Sequence, residues 1–120
     1  MLYDDVTEKI LEACFEVSRE MGAGFLESVY EKALQVAIMQ KGLSVSLQVP
    51  LGVRFRGVNV GDFYADMIVE GKVLIELKAV SRILNEHKAQ VINYLKATGI
   101  EVGLLVNFGN PKVDYFRLHK

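Results

Sequence analysis

Residues 62–78, DFYADMIVEGKVLIELK, contain two apolar runs separated by a short polar segment. Residues 63–69 and 73–77 are rich in β-branched and aromatic side chains, which favours two β-strands. The Glu70-Gly71-Lys72 segment between them is typical of a turn, because glycine adopts positive φ without strain. The stretch therefore predicts a β-hairpin.

Three charged side chains, Asp66, Glu76 and Lys78, lie within these predicted strands rather than at their ends. Burying an isolated charge is costly unless a partner or a metal ion compensates it. The two carboxylates and the ammonium group must therefore pair with one another or bind something else.

The length of the turn decides whether the two carboxylates meet. A two-residue turn at Glu70-Gly71 would place Asp66 and Glu76 on opposite faces of the sheet. A three-residue turn, or one bulge, would place them directly across from each other, with Lys78 on the same face. Side chains directly across a strand pair are about 5 Å apart, so both carboxylates could hold one cation. We predict the second arrangement.

The pattern of Asp66, nine residues, and then Glu76-Leu77-Lys78 resembles the core signature of the PD-(D/E)XK nuclease superfamily. Ala65 stands where many members carry a proline before the aspartate. The resemblance implies that Asp66, Glu76 and the backbone carbonyl of Leu77 bind Mg²⁺ or Mn²⁺. It also implies that Asp66, Glu76 and Lys78 catalyse phosphodiester hydrolysis of DNA or RNA.

Length and composition limit the number of domains and the classes of protein that this sequence can represent. The 120 residues suffice for one domain, residues 1–120, and 51% hydrophobic with 24% charged residues is typical of a globular protein. A net charge of -1 argues against a protein that coats nucleic acid, but not against a nuclease with a local basic patch. The lone Cys14 excludes an internal disulfide. Without a signal peptide or an apolar stretch of membrane-spanning length, we expect a cytoplasmic protein with no membrane partner.

Two helices are predicted before the hairpin. The first has apolar residues at helical spacing and Asp4 or Asp5 as its N-cap, and its inner stripe is Val6, Ile10, Cys14, Val17 and Met21. The second runs over about residues 25–41, and its predicted inner stripe is Leu26, Val29, Ala33, Val36 and Ala37.

Strands and one further helix complete the predicted fold. Residues 43–56 alternate as a half-buried strand in which Pro50 favours an edge position, and residues 57–61 form a turn into the hairpin. A helix over residues 85–98 and strands over residues 101–108 and 113–118 follow. The fold class is α/β (α+β), a mixed sheet flanked by helices in the order ααβββαββ. This order is similar to the restriction-endonuclease-like core of the superfamily.

The second helix begins with Gly24, Glu27 and Tyr30 in the spacing Gly-x-x-Glu-x-x-Tyr. This segment resembles the naming motif of the GxxExxY protein family, a group within the same superfamily. The resemblance implies that Glu27 lies beside the metal site and that Tyr30 belongs to the substrate-binding residues. The alternative is structural: a first-turn glutamate is favoured by the helix dipole, and Tyr30 is a core residue.

The third helix carries Gln90 and Tyr94 one turn apart on one face. The Gln-x-x-x-Tyr pattern is similar to the motif that follows Glu-x-Lys in RecB-like exonucleases of the superfamily. That resemblance implies that both side chains contact substrate.

Two competing interpretations stay open. The chain could be a catalytically degenerate nuclease-fold module that binds a protein or nucleic-acid partner, or a homodimer. Alternatively, the charged residues of the hairpin could form a structural salt-bridge network. Two carboxylates, or three with Glu27, against the single ammonium of Lys78 argue for a bound cation instead.

Overall fold

The structure, a computed structural model, describes residues 2–120 and confirms the predicted order of elements. These elements are α1 (Asp4–Met21), α2 (Glu27–Gln40), β1 (Val45–Phe55), β2 (Val58–Val69), β3 (Val73–Lys78), α3 (Asn85–Thr98), β4 (Val102–Asn107) and β5 (Asp114–His119). Within residues 2–120, no helix is both long and apolar enough to span a lipid bilayer.

The strands form one mixed sheet in the order β1-β2-β3-β4-β5. β3 and β4 are neighbouring parallel strands connected along the chain by α3. The other neighbouring strands are antiparallel. Pro50 lies in β1, an edge strand, as predicted. An edge strand tolerates proline because the missing N–H can face away from the ladder.

The core has two layers, one on each face of the sheet. α1 and α2 cover one face with a large apolar cluster that includes Ile10, Tyr30 and Ile75. α3 covers the other face through Val91 and Leu95. This layering is why β3 is buried along nearly its whole length.

Two local predictions for the helices were wrong. Tyr3, with φ 58°, precedes α1 as its N-cap, and Asp4 and Asp5 lie within the first turn. In α2 the buried stripe is Tyr30, Leu34 and Ile38, whereas Leu26 is 76% exposed and Val36 is 56% exposed. α2 has apolar residues on adjacent stripes, so periodicity alone did not select the stripe that faces the sheet.

The turn predicted over residues 57–61 was too long. β1 and β2 are joined by a two-residue turn at Arg56 and Gly57, whose φ angles of 50° and 81° match a type I′ hairpin turn. β2 therefore starts at Val58, and the β1–β2 ribbon is much longer than the pairing between β2 and β3.

The face of the ribbon that carries the buried side chains changes at Gln48 and Asp66. In the inner half of the ribbon, residues 45–47 and 67–69, Leu47 and Met67 pack on the α1/α2 side. In the outer half, residues 49–65, Leu51 and Ala65 pack on the α3 side. Alternate strand residues normally stay on one face, and the change coincides with φ 47° at Gln48.

Asn107 at the end of β4 holds the link between β3 and α3. Its Oδ1 accepts the N–H groups of Val80 and Gly109, both at 3.0 Å, and its Nδ2 donates to the Val80 carbonyl at 2.9 Å. A Cβ at position 109 would collide with the Val80 backbone. The link that follows Lys78 is thereby fixed to the neighbouring strand.

Candidate active site

The β2–β3 hairpin has the predicted three-residue turn. Val69 pairs with Val73, so Glu70-Gly71-Lys72 forms the connection. Continuing the same register places Asp66 across from Glu76. The two carboxyl-bearing residues of the hairpin therefore lie across from each other, as the longer turn requires.

The regular ladder between β2 and β3 stops one residue before the two carboxylates, at the pair Met67 and Ile75. Beyond it, the carboxylates take over the hydrogen bonds of the opposite strand. Glu76 Oε1 accepts the Asp66 N–H at 2.9 Å, and Asp66 Oδ2 accepts the Leu77 N–H at 2.8 Å. The strands separate here without leaving these two backbone donors unpaired.

Burial dominates the electrostatics of Glu76, which is 5% exposed. Desolvation, with the charge of Asp66 as the next cause, raises the pKa of Glu76 to about 8. Without a cation, this carboxyl group therefore keeps its proton at neutral pH. A divalent cation placed between the carboxylates would reverse this, because it favours the charged form.

α2 contributes two further carboxylates, Glu27 and Glu31, which are one helical turn apart. Burial first, and then the negative charge of Asp66, raises the pKa of Glu27. The pKa of Glu31 is raised by burial too, against a lowering hydrogen bond from Gln48. Gln48 Nε2 donates to Glu31 at 2.9 Å and to Asp66 at 3.3 Å, so it bridges the helix and the hairpin.

Lys78 supplies positive charge to this cluster. Its charge opposes the effect of burial on the pKa of both Glu27 and Glu76. The charge of Lys78 is therefore felt by both carboxyl groups.

α3 places Gln90 and Tyr94 beside the same cluster. Gln90 Nε2 donates to the Tyr94 hydroxyl at 3.0 Å. Burial, followed by the negative charge of Glu76, raises the pKa of Tyr94. The predicted one-turn pair thus lies on one face of α3, within electrostatic reach of the hairpin.

Tyr30 does not lie at the cluster, which corrects the expectation that it binds substrate. Its ring is fully buried and stacks on Phe108, with centroids 4.9 Å apart. Its hydroxyl donates to the Gly22 carbonyl at 2.6 Å and accepts the Phe25 N–H at 3.2 Å. A ring enclosed by the core cannot reach a bound molecule, and Tyr30 instead fixes the loop that leads to Glu27.

The oxygen donors of the hairpin are suited to a hard divalent cation. The N–H and C=O of one strand residue point the same way, so the Leu77 carbonyl points towards Asp66, as its N–H does. Within residues 2–120, no three His, Cys, Asp or Glu side chains form a ready-made metal-binding group. Mg²⁺ commonly uses only one or two carboxylates with water and substrate phosphate, so the donor set fits that ion.

A groove of about 880 Å³ adjoins the cluster, and we call it the arm groove. It lies between the outer half of the ribbon and α3. Its lining includes Arg54 and Phe63 from the ribbon and Gln90, Asn93, Tyr94 and Lys96 from α3. Tyr94 lines the groove and lies within electrostatic reach of Glu76 and Asp66, so the groove extends towards the carboxylates.

Three residues of this region were not predicted: Glu31, Gln48 and Phe63. The i, i+4 spacing of Glu31 from Glu27 was a usable signal, since such residues share a helix face. The positive φ of Gln48 and the approach of Phe63 to α3 depend on tertiary packing, and no sequence pattern indicated them.

Comparison with known proteins identifies a family for most of the chain. The family model described as PD-(D/E)XK nuclease superfamily matches residues 4–118. No curated protein matches the chain significantly.

Solved structures support the same fold. The crystal structure of SSO0001 superposes with a TM-score of 0.57 at 17% sequence identity and covers 78% of this chain. The chain spans about half of SSO0001, since the match covers 50% of that protein. At this identity the similarity concerns the fold alone.

Proposed function

Because this chain belongs to the PD-(D/E)XK nuclease superfamily, we propose that it is a metal-dependent nuclease that hydrolyses phosphodiester bonds of DNA or RNA. The observation that carries the proposal is the pair Asp66 and Glu76, whose carboxylates replace the hairpin ladder beside Lys78. We also propose membership in the GxxExxY family, supported by Gly24, Glu27 and Tyr30. We further propose that the protein acts in the cytoplasm.

In this proposal Asp66, Glu76 and the Leu77 carbonyl hold Mg²⁺ or Mn²⁺. When bound, the ion would polarise the scissile phosphate and lower the pKa of a coordinated water. Glu76 gives up its proton on binding, because the charged form of the carboxylate is the ligand. Glu27 contributes negative charge from α2 that further favours a cation at this position.

Lys78 is the catalytic cation of the proposal. Its ammonium orients the attacking water or stabilises the negative charge that develops on the phosphate. Gln90 and Tyr94 position the substrate, since they lie both beside Glu76 and in the arm groove.

The test combines metal titration with a cleavage assay. Calorimetric titration of Mn²⁺ is expected to show binding to the wild type and none to Glu76→Gln. With Mn²⁺ or Mg²⁺ present, labelled DNA or labelled RNA should be cleaved, and Glu76→Gln should slow cleavage on the order of 10²–10³-fold. EDTA abolishes cleavage, and added Mn²⁺ restores it.

Glu101→Gln is the matched control for this test. Glu101 is exposed and precedes β4 at the end of the sheet opposite Lys78, since Val102 pairs with Val73. It should bind Mn²⁺ and cleave like the wild type. Full cleavage by Glu76→Gln, or equal losses in both variants, would contradict the proposed role of the hairpin.

The raised pKa of Glu76 gives the metal binding a defined pH dependence. Since Glu76 holds its proton below about pH 8, Mn²⁺ must displace that proton. The affinity for Mn²⁺ should rise up to about tenfold per pH unit between pH 6 and pH 8 and then level off. Titrations in buffers of different ionisation enthalpy measure the released proton, and a flat profile over this range would contradict the assignment of Glu76.

A second candidate function is a catalytically degenerate module that binds a protein or nucleic-acid partner, or forms a homodimer. Exposed apolar side chains on the outer half of the ribbon favour it: Phe55, Val58, Val60 and Tyr64 are each more than half exposed. Apolar patches of this kind commonly mark interaction sites. Absence of cleavage, together with a stable dimer in light-scattering measurements, would select this candidate.

A further inference from the structure

The arm groove combines an apolar wall with an aromatic pair. The rings of Phe63 and Tyr94 lie 5.8 Å apart at 45°. Tyr94 is almost buried, whereas Phe63 remains 43% exposed in the groove. A partly exposed aromatic ring of this kind can stack with a flat ligand.

Cations accompany the aromatic pair. Arg54 contributes a guanidinium from β1, and its Nη1 donates to the Gly57 carbonyl at 3.2 Å, which restrains it. Lys96 contributes an ammonium from the last turn of α3. Among the described residues that line the groove, Glu86 is the carboxylate that opposes them. The two cations suit an anionic backbone that runs along the groove.

The aromatic pair and the two cations of the groove favour unpaired bases over paired bases. Inside a duplex, the faces of each base are covered by its neighbours, and a protein reaches only edges and phosphates. Single strands expose base faces, and aromatic side chains bind them by stacking. With a net charge of -1, the chain has little excess positive charge for a mode that relies on phosphate contacts alone.

We propose that the arm groove binds single-stranded nucleic acid, with a base stacked on Phe63 and backbone phosphates at Arg54 and Lys96. This inference rests on the proposed function, because the groove delivers the strand to Asp66 and Glu76 through Tyr94. It goes further in naming unpaired nucleic acid as the substrate class and Phe63 as the residue that selects it.

The experiment measures binding separately from hydrolysis. Fluorescence anisotropy in EDTA compares a labelled oligothymidylate with a labelled duplex of equal length, using the full chain. We expect the single strand to bind about tenfold more tightly than the duplex. Phe63→Ala should weaken single-strand binding about tenfold and leave the weaker duplex binding unchanged.

Two matched variants keep the test specific. Tyr115→Ala removes a similarly exposed aromatic ring from β5, outside the residues that line the groove, and should bind like the wild type. Lys96→Ala should weaken binding and lower its salt dependence, whereas the exposed Lys112→Ala should not. Thermal unfolding of each variant confirms that the fold is retained.

The outcomes separate this inference from the proposed function. Tight single-strand binding in EDTA without any metal-dependent cleavage would support the groove and reject the nuclease. Cleavage of duplexes with no preference for single strands would support the nuclease and overturn the groove assignment. Equal losses in Phe63→Ala and Tyr115→Ala, or binding of a second copy in place of the oligonucleotide, would also overturn it.

Discussion

The two halves of the β1–β2 ribbon are built from the same two strands, yet they differ in what covers them. In the inner half, Met67 and Val69 are fully buried between β1, β3 and the α1/α2 layer. At the end of the outer half, Phe55 and Val58 are about 60% exposed. The regular backbone ladder between β2 and β3 extends only as far as Met67. The inner half therefore stabilises the fold, whereas the exposed tip of the outer half is free to contact other molecules.

The boundary between the halves is where the charged residues collect. Gln48 and Asp66 lie there, opposite each other, and Glu76 meets them from β3. A strand that leaves its neighbour exposes backbone N–H groups, which need acceptors. Carboxylates in the middle of these strands are therefore explained partly by the geometry of the boundary and partly by the cation we propose they hold.

The largest expected contrast between the halves is in stability. Met67→Ala opens a cavity in the inner half and should lower the free energy of unfolding by about 2–5 kcal/mol. Phe55→Ala, in the outer half, should change it by no more than about 0.5 kcal/mol. Urea denaturation of both variants measures the difference. Comparable losses would show that the outer half is packed in solution and would remove the distinction.

Neutralising Glu76, at the boundary between the two halves, should stabilise the folded state. Folding raises the pKa of Glu76 from 4.5 to about 8, so the folded state binds more protons between these values. The unfolding free energy of the metal-free protein should therefore fall as pH rises from about 5 to about 8.

Glu76→Gln should remove most of this slope, because glutamine does not ionise. Its amide oxygen can still accept the Asp66 N–H, so the hydrogen bond is kept. At pH 8 the variant should be more stable than the wild type by on the order of a few kcal/mol, at about 1.4 kcal/mol per tenfold change in proton affinity. Urea titrations in EDTA across this range provide the measurement. Parallel curves for the two proteins would show that Glu76 ionises freely.

The smallest expected effect concerns the backbone at the boundary. Gln48 has φ 47°, which glycine adopts without cost and alanine does not. Both Gln48→Gly and Gln48→Ala lose the bridge to Glu31 and Asp66. The difference between their unfolding free energies therefore isolates the contribution of the backbone conformation. Gln48→Gly should be more stable than Gln48→Ala by about 1 kcal/mol. The reverse order would indicate that the change of face at the boundary does not depend on this conformation.

The sequence predicted the hairpin, its three-residue turn and the order of elements, because these depend on local signals. Alternating apolar residues, glycines and the charged positions determined which register could join Asp66 and Glu76. The buried stripe of α1 was also correct for Val6, Ile10, Cys14 and Val17, where only one face of the helix is apolar.

What could not be predicted depends on contacts between distant segments. Tyr30 lies in a spacing that resembles a functional motif, but its stacking on Phe108 and its bond to Gly22 use it in the core. The arm groove exists only because the outer half of the ribbon changes face and approaches α3. The assignment of Asp66, Glu76, Lys78, Glu27, Gln90 and Tyr94 to catalysis or binding stays a prediction until the experiments above are done.

The bonds of Asn107 to Val80 have a practical consequence for engineering the chain. Since the residues after Lys78 are fastened to the end of β4, insertions there would displace α3 and with it Gln90. The Arg56-Gly57 turn has no such attachment to the core, because its flanking residues are exposed. A peptide tag or a reporter loop inserted at that turn should be tolerated, and it would extend the ribbon without disturbing the sheet.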